Sequence, residues 1–227
     1  MSTPSRAARH AASATVPGAR IAPAPLRIVR AHALKAAPWK NGGGVTREIA
    51  AYPVGASLDT FVWRVSVADV EQPGPFSRFA GVDRTLVLLA GEGMRLVESD
   101  GTAHALMEPL SVVRFDGDAA LDARLVGGPT RDFNLMVRRD RASAELRVWH
   151  GASRHTLDAD VALVFCARGA LDVRFDSASQ DCAGAPPGPM TSVALATMDT
   201  LVLDAPRALA CDVKGDGAAL AVLVHYL

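Results

Sequence analysis

The feature that most constrains the fold of this chain is a two-residue alternation of apolar and polar side chains. In the segment 61–67 every odd-numbered residue is apolar, whereas the even positions include Arg64 and Ser66. An alternation of this period is typical of a β-strand. Fourteen further short apolar runs lie between residues 26 and 226, and Gly, Pro or Asp separates nearly all of them. Fifteen short strands without a long amphipathic helix predict an all-β barrel or sandwich.

The second half of the chain echoes the first. Residues 86–90, followed by Gly93, resemble residues 163–167, followed by Gly169. Residues 123–128 and 134–137 likewise resemble residues 210–215 and 221–224, so the echoes keep their order at separations of 76 to 87 residues. A repeat that keeps its order favours a duplicated β module over chance similarity between strands.

The N-terminal segment 1–25 differs in composition from the rest of the chain. It is rich in Ala, Pro, Ser and Arg and has no apolar periodicity, and no acidic residue precedes Glu48. Such a composition predicts a disordered tail, with a transit peptide or a misassigned start codon as alternatives.

Charge and hydropathy exclude several classes of partner. The 24 basic and 24 acidic residues of the whole chain cancel, which argues against a nucleic-acid partner. No apolar run approaches the ~20 residues of a membrane span. Cys166, Cys182 and Cys211 form no CxxC motif and are expected to be reduced thiols. We therefore expect a cytoplasmic protein with neither a nucleic-acid nor a membrane partner.

Recognisable catalytic and metal motifs are absent from the sequence. The histidines form no HxH or HxxxH pair, and there is no phosphate-binding loop and no GxSxG elbow. Metal centres usually need several such ligands to converge. We expect no metal, no other cofactor and no identifiable catalytic residue.

Two stretches could carry binding chemistry. The three consecutive glycines Gly42, Gly43 and Gly44 follow Asn41 and would allow either a close backbone approach to a ligand or a simple hairpin turn. Arg64 and Ser66 share one strand face and form a carboxylate or phosphate clamp if that face lines an interior. On a solvent face the same arginine is an ordinary surface charge.

Four blocks of sequence, in matching order, resemble the HutD/Ves family. The blocks are residues 38–49, 61–68, 74–79 with 81–86, and 131–139. The resemblance is strong over about 26–140 and rests on β character alone beyond it. It implies an all-β bicupin, with two RmlC-like jelly-roll β-barrel modules in one chain, which we place at 26–140 and 141–227. Many cupins bind a metal through histidines, but residues 86–96 and 111–118 contain none.

The resemblance also implies an association with histidine utilisation. The first hypothesis is a metal-independent binding protein that senses or moderates this pathway through a small acidic metabolite of the urocanate or formylglutamate class. The residues expected to line its ligand site are Trp39, Asn41, Gly42, Gly43, Gly44, Arg47, Glu48, Trp63, Arg64, Ser66, Phe76, Asp83 and Arg84.

Two other hypotheses remain open. One is a metal-free isomerase or epimerase on a small acidic substrate, with Glu48 in proton transfer. The other is a stress-related interaction protein of the Ves branch, in which the same residues form turns and salt bridges. Exposed sheet edges would also allow a homodimer.

Overall fold

Strands dominate the fold. The computed structural model describes residues 26–176 and 190–227, so the predicted tail at 1–25 and Cys182 lie outside the described residues. In the described ranges, the one helix is a single 3-10 turn at Ala31–Ala33. The all-β expectation is therefore confirmed. None of the described helical structure is long and apolar enough to cross a bilayer.

The strands are short and connected mostly by brief turns. In the first half of the chain they are β1 (Leu26–Val29), β2 (Ala36–Pro38), β3 (Gly44–Tyr52), β4 (Trp63–Val70), β5 (Gly74–Pro75), β6 (Val82–Ala90), β7 (Met94–Glu98), β8 (Ala103–Leu106), β9 (Val112–Asp116), β10 (Leu121–Leu125) and β11 (Thr130–Arg138). In the second half they are β12 (Ala142–His150), β13 (Ser153–Leu157), β14 (Val161–Arg168), β15 (Ala170–Asp176), β16 (Met190–Ala196), β17 (Thr200–Asp204), β18 (Leu209–Lys214) and β19 (Ala218–Tyr226).

The described strands form four open sheets and no closed barrel. The inner N sheet has the order β2-β3-β4-β11-β6-β9, and the outer N sheet has the order β5-β10-β7-β8. The inner C sheet has the order β1-β17-β14-β19-β12, and the outer C sheet has the order β13-β18-β15-β16.

The strand order repeats with an offset of eight strands. The run β4-β11-β6-β9 of the inner N sheet corresponds to β12-β19-β14-β17 of the inner C sheet, and the two outer sheets correspond throughout. The echoed residues 86–90 and 163–167 lie in β6 and β14, which are equivalent strands in this scheme. The echo in the sequence therefore reflects a repeated topology.

Three apolar layers hold the four sheets in a stack. The central layer joins the two inner sheets, where the rings of Phe133 and Phe165 have centroids 4.9 Å apart. A second layer, with Val164 and Val173, lies between the inner and outer C sheets, and a third, with Leu88, fills the space below the outer N sheet. Alternate side chains of a strand point to opposite faces. The residues of β4 and β11 that do not enter the central layer therefore face the outer N sheet.

The first strand belongs to the C-terminal sheet. β1 pairs with β17 from Leu26–Leu203 to Val29–Thr200. Asp199 holds the segment that follows β1 against the C-terminal sheet. Its carboxylate accepts hydrogen bonds from Arg30 Nη1 at 2.7 Å and from the Ala31 backbone N–H at 2.8 Å. The two halves of the chain are thus joined by a strand as well as by the central layer.

The observed strands differ from the predicted ones in two respects. The apolar pattern does not predict β2, β5, β8 and β13, which are two to five residues long. In addition, β4 begins only at Trp63, and the expectation that Phe61 shares its face is wrong. The chain turns at Phe61, whose N–H donates to Ser57 O at 3.2 Å, and the Phe61 ring packs in a separate cluster with Val82 and Met136.

Candidate functional site

One face of the inner N sheet carries polar side chains into the space below the outer N sheet. Two neighbouring rows of this face hold Glu48–Ser66–Asn134 and Arg64–Met136–Arg84, as the strand register shows. Asp132 lies on the same face of β11, one row beyond Asn134. We call Glu48, Arg64, Ser66, Arg84, Asp132 and Asn134 the interior cluster.

Arg84 is the most unusual member of the cluster because it is a buried cation without an anion. Its residue is only 6% exposed, and its guanidinium lies 5.0 to 5.6 Å from the ring centroids of Phe76, Phe79 and Phe115. Nη1 donates to Ser77 O at 3.2 Å, whereas the buried Nε has no partner.

The charge of Arg84 is also left without a counter-charge. None of the ion pairs between described residues includes it. Burial, reinforced by the charge of Arg64, lowers the pKa of Arg84 to about 10. The guanidinium therefore keeps its charge at neutral pH, and three aromatic rings and the Ser77 carbonyl offset that charge in place of a carboxylate.

Arg64 links the buried part of the cluster to solvent. Its Nε donates to Glu48 Oε2 at 2.7 Å, and its Nη1 donates to Ser66 Oγ at 3.3 Å. The Arg64 side chain is 12% exposed, whereas the Glu48 side chain is 43% exposed. Glu48 thus lies at the mouth of the cluster and holds one edge of the Arg64 guanidinium.

Asn134 and Asp132 supply unpartnered acceptors. The Oδ1 atoms of both side chains are buried without a hydrogen-bond partner. Asp132 is fully buried, and its Oδ2 accepts a hydrogen bond from Thr130 Oγ1 at 3.3 Å. Burial, with a smaller contribution from the charge of Asp69, raises the pKa of Asp132 to about 7 against the Thr130 hydrogen bond. Asp132 can therefore hold or release a proton near neutral pH.

The glycine-rich segment forms a turn beside the cluster. Gly43 N–H donates to Asn41 Oδ1 at 3.1 Å, and Gly42 N–H donates to Trp39 O at 3.0 Å with φ +70° at Gly42. A Cβ on Gly44 would meet the Asp69 carbonyl oxygen and the Trp39 ring. Backbone geometry thus accounts for Gly42 and Gly44. Asn41, Gly43 and Phe76 help to line a cleft of only about 10 Å³.

Three further residues predicted for the site lie elsewhere. Arg47 shares the carboxylate of Asp69 with Arg131, at 2.5 and 2.6 Å. Asp83 pairs with Arg139 at 2.9 Å near the surface. Trp63 lies in the central layer, where its Nε1 donates to Tyr226 Oη at 3.2 Å.

The structure therefore brings together only part of the predicted set. Glu48, Arg64, Ser66 and Arg84 meet in the interior cluster, and Phe76 packs on Arg84. Asp132 and Asn134 are additional members. Their alternation with Phe133 and Leu135 is visible in the sequence, but their place depends on β11 lying between β4 and β6.

A cavity of about 260 Å³ lies away from the cluster, at the edge between the two inner sheets. Asp83, Thr85, Arg139 and Leu227 are among its lining residues. Its charged side chains are already paired, because Arg139 contacts Asp83 and also Asp116 at 2.7 Å. The buried guanidinium without an ion pair, that of Arg84, lies instead in the interior cluster.

The donor set of the cluster is not that of an all-protein metal site. Within 26–176 and 190–227, no group of three or more His, Cys, Asp or Glu side chains could hold a metal ion. The cluster instead combines two guanidinium groups, a hydroxyl, an amide and two carboxyl groups. Such groups can hold an anion and receive hydrogen-bond donors.

Stacked antiparallel sheets with a polar interior define a cupin-like all-β protein. A solved oxalate decarboxylase from Lactobacillus farciminis, in a formate complex, shares this fold at 9% identity and a TM-score of 0.55, over 88% of this chain and 85% of that chain. At this identity the likeness shows the fold alone.

The chain belongs to the HutD family, whose model matches residues 31–221. The structure of HutD from Pseudomonas fluorescens SBW25 (formate condition) is 31% identical with a TM-score of 0.74, covering 89% of this chain and 100% of that chain. An uncharacterised 21.2 kDa protein of the hutC 3′ region of Pseudomonas putida is 40% identical over 148 residues, 65% of this chain and 77% of that protein. Protein Ves of Escherichia fergusonii is 38% identical over 111 residues, 48% of this chain and 56% of Ves. The resemblance to the HutD/Ves family is confirmed.

Proposed function

We propose that this protein binds a small carboxylate in the interior cluster, without a metal ion. In this proposal it senses or moderates histidine catabolism by binding an acidic metabolite of the urocanate or formylglutamate class. The observation that carries the proposal is the buried, unpaired guanidinium of Arg84.

A buried charge without an ion pair is costly, and a bound ligand of opposite charge would offset that cost. Arginine presents its N–H groups in a planar fork that matches a carboxylate. Arg64 lies near enough to Arg84 for its charge to lower the pKa of that group. Two guanidinium groups on one buried face therefore form a receptor for an anion.

The relatives support carboxylates as the first ligands to test. The P. fluorescens HutD structure was obtained in a formate condition, which makes formate, the smallest carboxylate, a convenient first probe. The P. putida relative is named for its place beside hutC. These names motivate the histidine pathway as the source of the ligand.

Two structural expectations accompany this function. We propose that the two N sheets and the two C sheets are cupin modules, with the boundary in the turn between Arg138 and Ala142. On this proposal, β1 crosses from one module to the sheet of the other. A cytoplasmic location, a homodimer and the absence of nucleic-acid and membrane partners stay predictions.

Thermal unfolding with added acids tests the proposal. Formate, urocanate, formylglutamate and histidine would be compared on the wild-type protein and on Arg64→Ala. A ligand at 100 times its Kd adds about 2.7 kcal/mol of stability, which corresponds to a rise in Tm of roughly 5 to 11 °C for a chain of this size. The shift should disappear in Arg64→Ala.

Arg147→Ala is the matched control, because Arg147 pairs with Glu145 on the surface at 2.7 Å. It should keep the ligand-induced shift. The proposal fails if no acid shifts the wild-type Tm, or if Arg64→Ala responds as strongly as Arg147→Ala.

A second candidate function is a metal-free enzyme that transfers a proton on a bound acid. The observation that favours it is Asp132, whose buried carboxyl has a pKa of about 7 in the same interior, close to the value that suits an acid–base group. Exchange of ligand C–H protons for deuterium, followed by NMR, tests it. Exchange that stops in Asp132→Asn would support an enzyme, and no exchange with any bound acid would exclude this route.

A further inference from the structure

The interior cluster separates hydrogen-bond donors from acceptors. The donors are on β4 and β6, where Arg64 and the unpartnered Nε of Arg84 face inward. The unpartnered acceptors are on β11, which lies between those strands, and they are Oδ1 of Asn134 and Oδ1 of Asp132. An anion alone would satisfy only the donors.

Of the two unpartnered acceptors, Asn134 lies in the row next to the guanidinium groups, whereas Asp132 lies one row further along β11. Asn134 is 8% exposed, it pairs with Ser66 of β4, and the next row along β11 holds Met136 between Arg64 and Arg84. A buried acceptor without a donor costs about 1–3 kcal/mol. A ligand that reaches both rows can remove this cost only if it brings a donor.

Asp132 adds to the same separation of hydrogen-bond donors from acceptors. It is fully buried, and it makes no ion pair with a described cation, since Arg131 binds Asp69 instead. The unpartnered Oδ1 of this carboxyl group can accept a hydrogen bond from an N–H group of a ligand. The acidic end of a ligand is therefore directed to β4 and β6, and a donor is directed to β11.

We propose that the ligand is a carboxylate that also carries an N–H donor, as in an amide or an imidazole, and that Asn134 Oδ1 accepts the hydrogen bond from that N–H. This inference rests on the proposed function, because it needs the carboxylate to bind at the two arginines. Asn134 is then a residue that determines ligand specificity.

Two probe ligands isolate the N–H group. N-acetylglycine and levulinate have the same chain length and the same carboxylate, and they differ only in an N–H in place of a CH₂. Their dissociation constants would be measured by calorimetry on the wild-type protein, Asn134→Leu and Thr85→Val. Thr85 is the matched control because it lies beside Leu135 on the opposite face of the sheet.

We expect the wild-type protein to bind N-acetylglycine about tenfold more tightly than levulinate, the effect of one buried hydrogen bond. Asn134→Leu should bring the ratio to about one while levulinate binding is retained, and Thr85→Val should keep the tenfold ratio. Asn134→Ala removes the same acceptor and replaces Asn134→Leu if that variant does not fold.

The outcomes separate this inference from the proposed function. Equal wild-type affinities, both lost in Arg64→Ala, would overturn the N–H requirement and leave the carboxylate site intact. A tenfold ratio that persists in both Asn134 variants would overturn the assignment to Asn134. If neither probe nor any pathway acid binds the wild-type protein, the proposed function fails and this inference fails with it.

Discussion

The variant Arg84→Met tests whether the buried arginine serves a ligand or the fold. Methionine keeps an unbranched chain of similar reach among the three phenylalanine rings and removes the charge. The change eliminates the unpartnered Nε, which costs about 1–3 kcal/mol, together with the cost of holding a charge in an apolar space. It also removes the hydrogen bond from Nη1 to Ser77 O and three contacts between a cation and a ring, at distances of 5.0 to 5.6 Å, each contributing about 0.5–1 kcal/mol.

These contributions oppose each other, and sulfur–aromatic contacts of methionine offset part of the loss. We expect the free energy of unfolding of the ligand-free protein to change by about 1 kcal/mol or less. Removing one partner of a buried structural ion pair would instead cost about 3–5 kcal/mol. The rise in Tm with an added carboxylate should disappear in the same variant.

The assay is urea unfolding for the ligand-free stability and thermal unfolding with and without ligand. Arg131→Met is the comparison, because Arg131 shares Asp69 with Arg47. It should lower stability modestly and keep the ligand response. A loss of more than 3 kcal/mol in ligand-free Arg84→Met would refute the reasoning, since it would make Arg84 a structural anchor.

Three further predictions concern Glu48 at the mouth of the interior cluster, Asp132 in its buried part and Gly44 in the neighbouring turn. Glu48→Gln should raise the affinity for a carboxylate, measured by calorimetry, because it removes the negative charge that pairs with Arg64 and competes with the ligand. The pKa of Asp132, raised to about 7, makes the folded protein hold a proton that the unfolded chain releases. Its contribution is complete below about pH 4 and is lost as the pH rises through 7, so wild type should lose stability relative to Asp132→Asn by about 1.4 kcal/mol per pH unit in that window. Gly44→Ala should lower the free energy of unfolding in urea by about 1–3 kcal/mol, because its Cβ would meet the carbonyl of Asp69.

Each of these variants has a result that would contradict it. Weaker carboxylate binding in Glu48→Gln would mean that Glu48 positions Arg64, and Glu145→Gln, in a surface pair, should leave binding unchanged. Parallel pH profiles of wild type and Asp132→Asn would show that Asp132 is ionised throughout. A wild-type urea midpoint for Gly44→Ala would show that the turn can move away from Asp69.

The strands could be predicted because their signal is local. A period of two and the intervening Gly, Pro and Asp residues depend only on neighbouring residues. The same reasoning does not find β2 and β5, which end in Pro38 and Pro75, because proline carries no N–H for the ladder. These short strands form through their partners and not through their own pattern.

The site could be predicted only in part because it depends on register and on faces. Both sides of β4 are covered, one by the central layer and the other by the outer N sheet, so the burial of Trp63 does not place Arg64 in solvent. The meeting of Ser66 with Asn134 follows from pairing between segments more than 60 residues apart. The Asn-Gly signal, in contrast, correctly places the turn at Gly42, whereas the glycine at 44 depends on the nearby Asp69 carbonyl.

The crossing of β1 into the C-terminal sheet has a consequence for synthesis on the ribosome. Leu26 can pair with Leu203 only after residue 203 has been synthesised. At about 5–20 residues per second, the synthesis of the intervening chain takes roughly 10 to 35 seconds. During that time the nascent chain presents an unpaired strand that could associate with other chains. Arg27 and Arg30 flank its apolar residues Ile28 and Val29, and charges placed in this way discourage premature edge-to-edge association while the rest of the polypeptide is made.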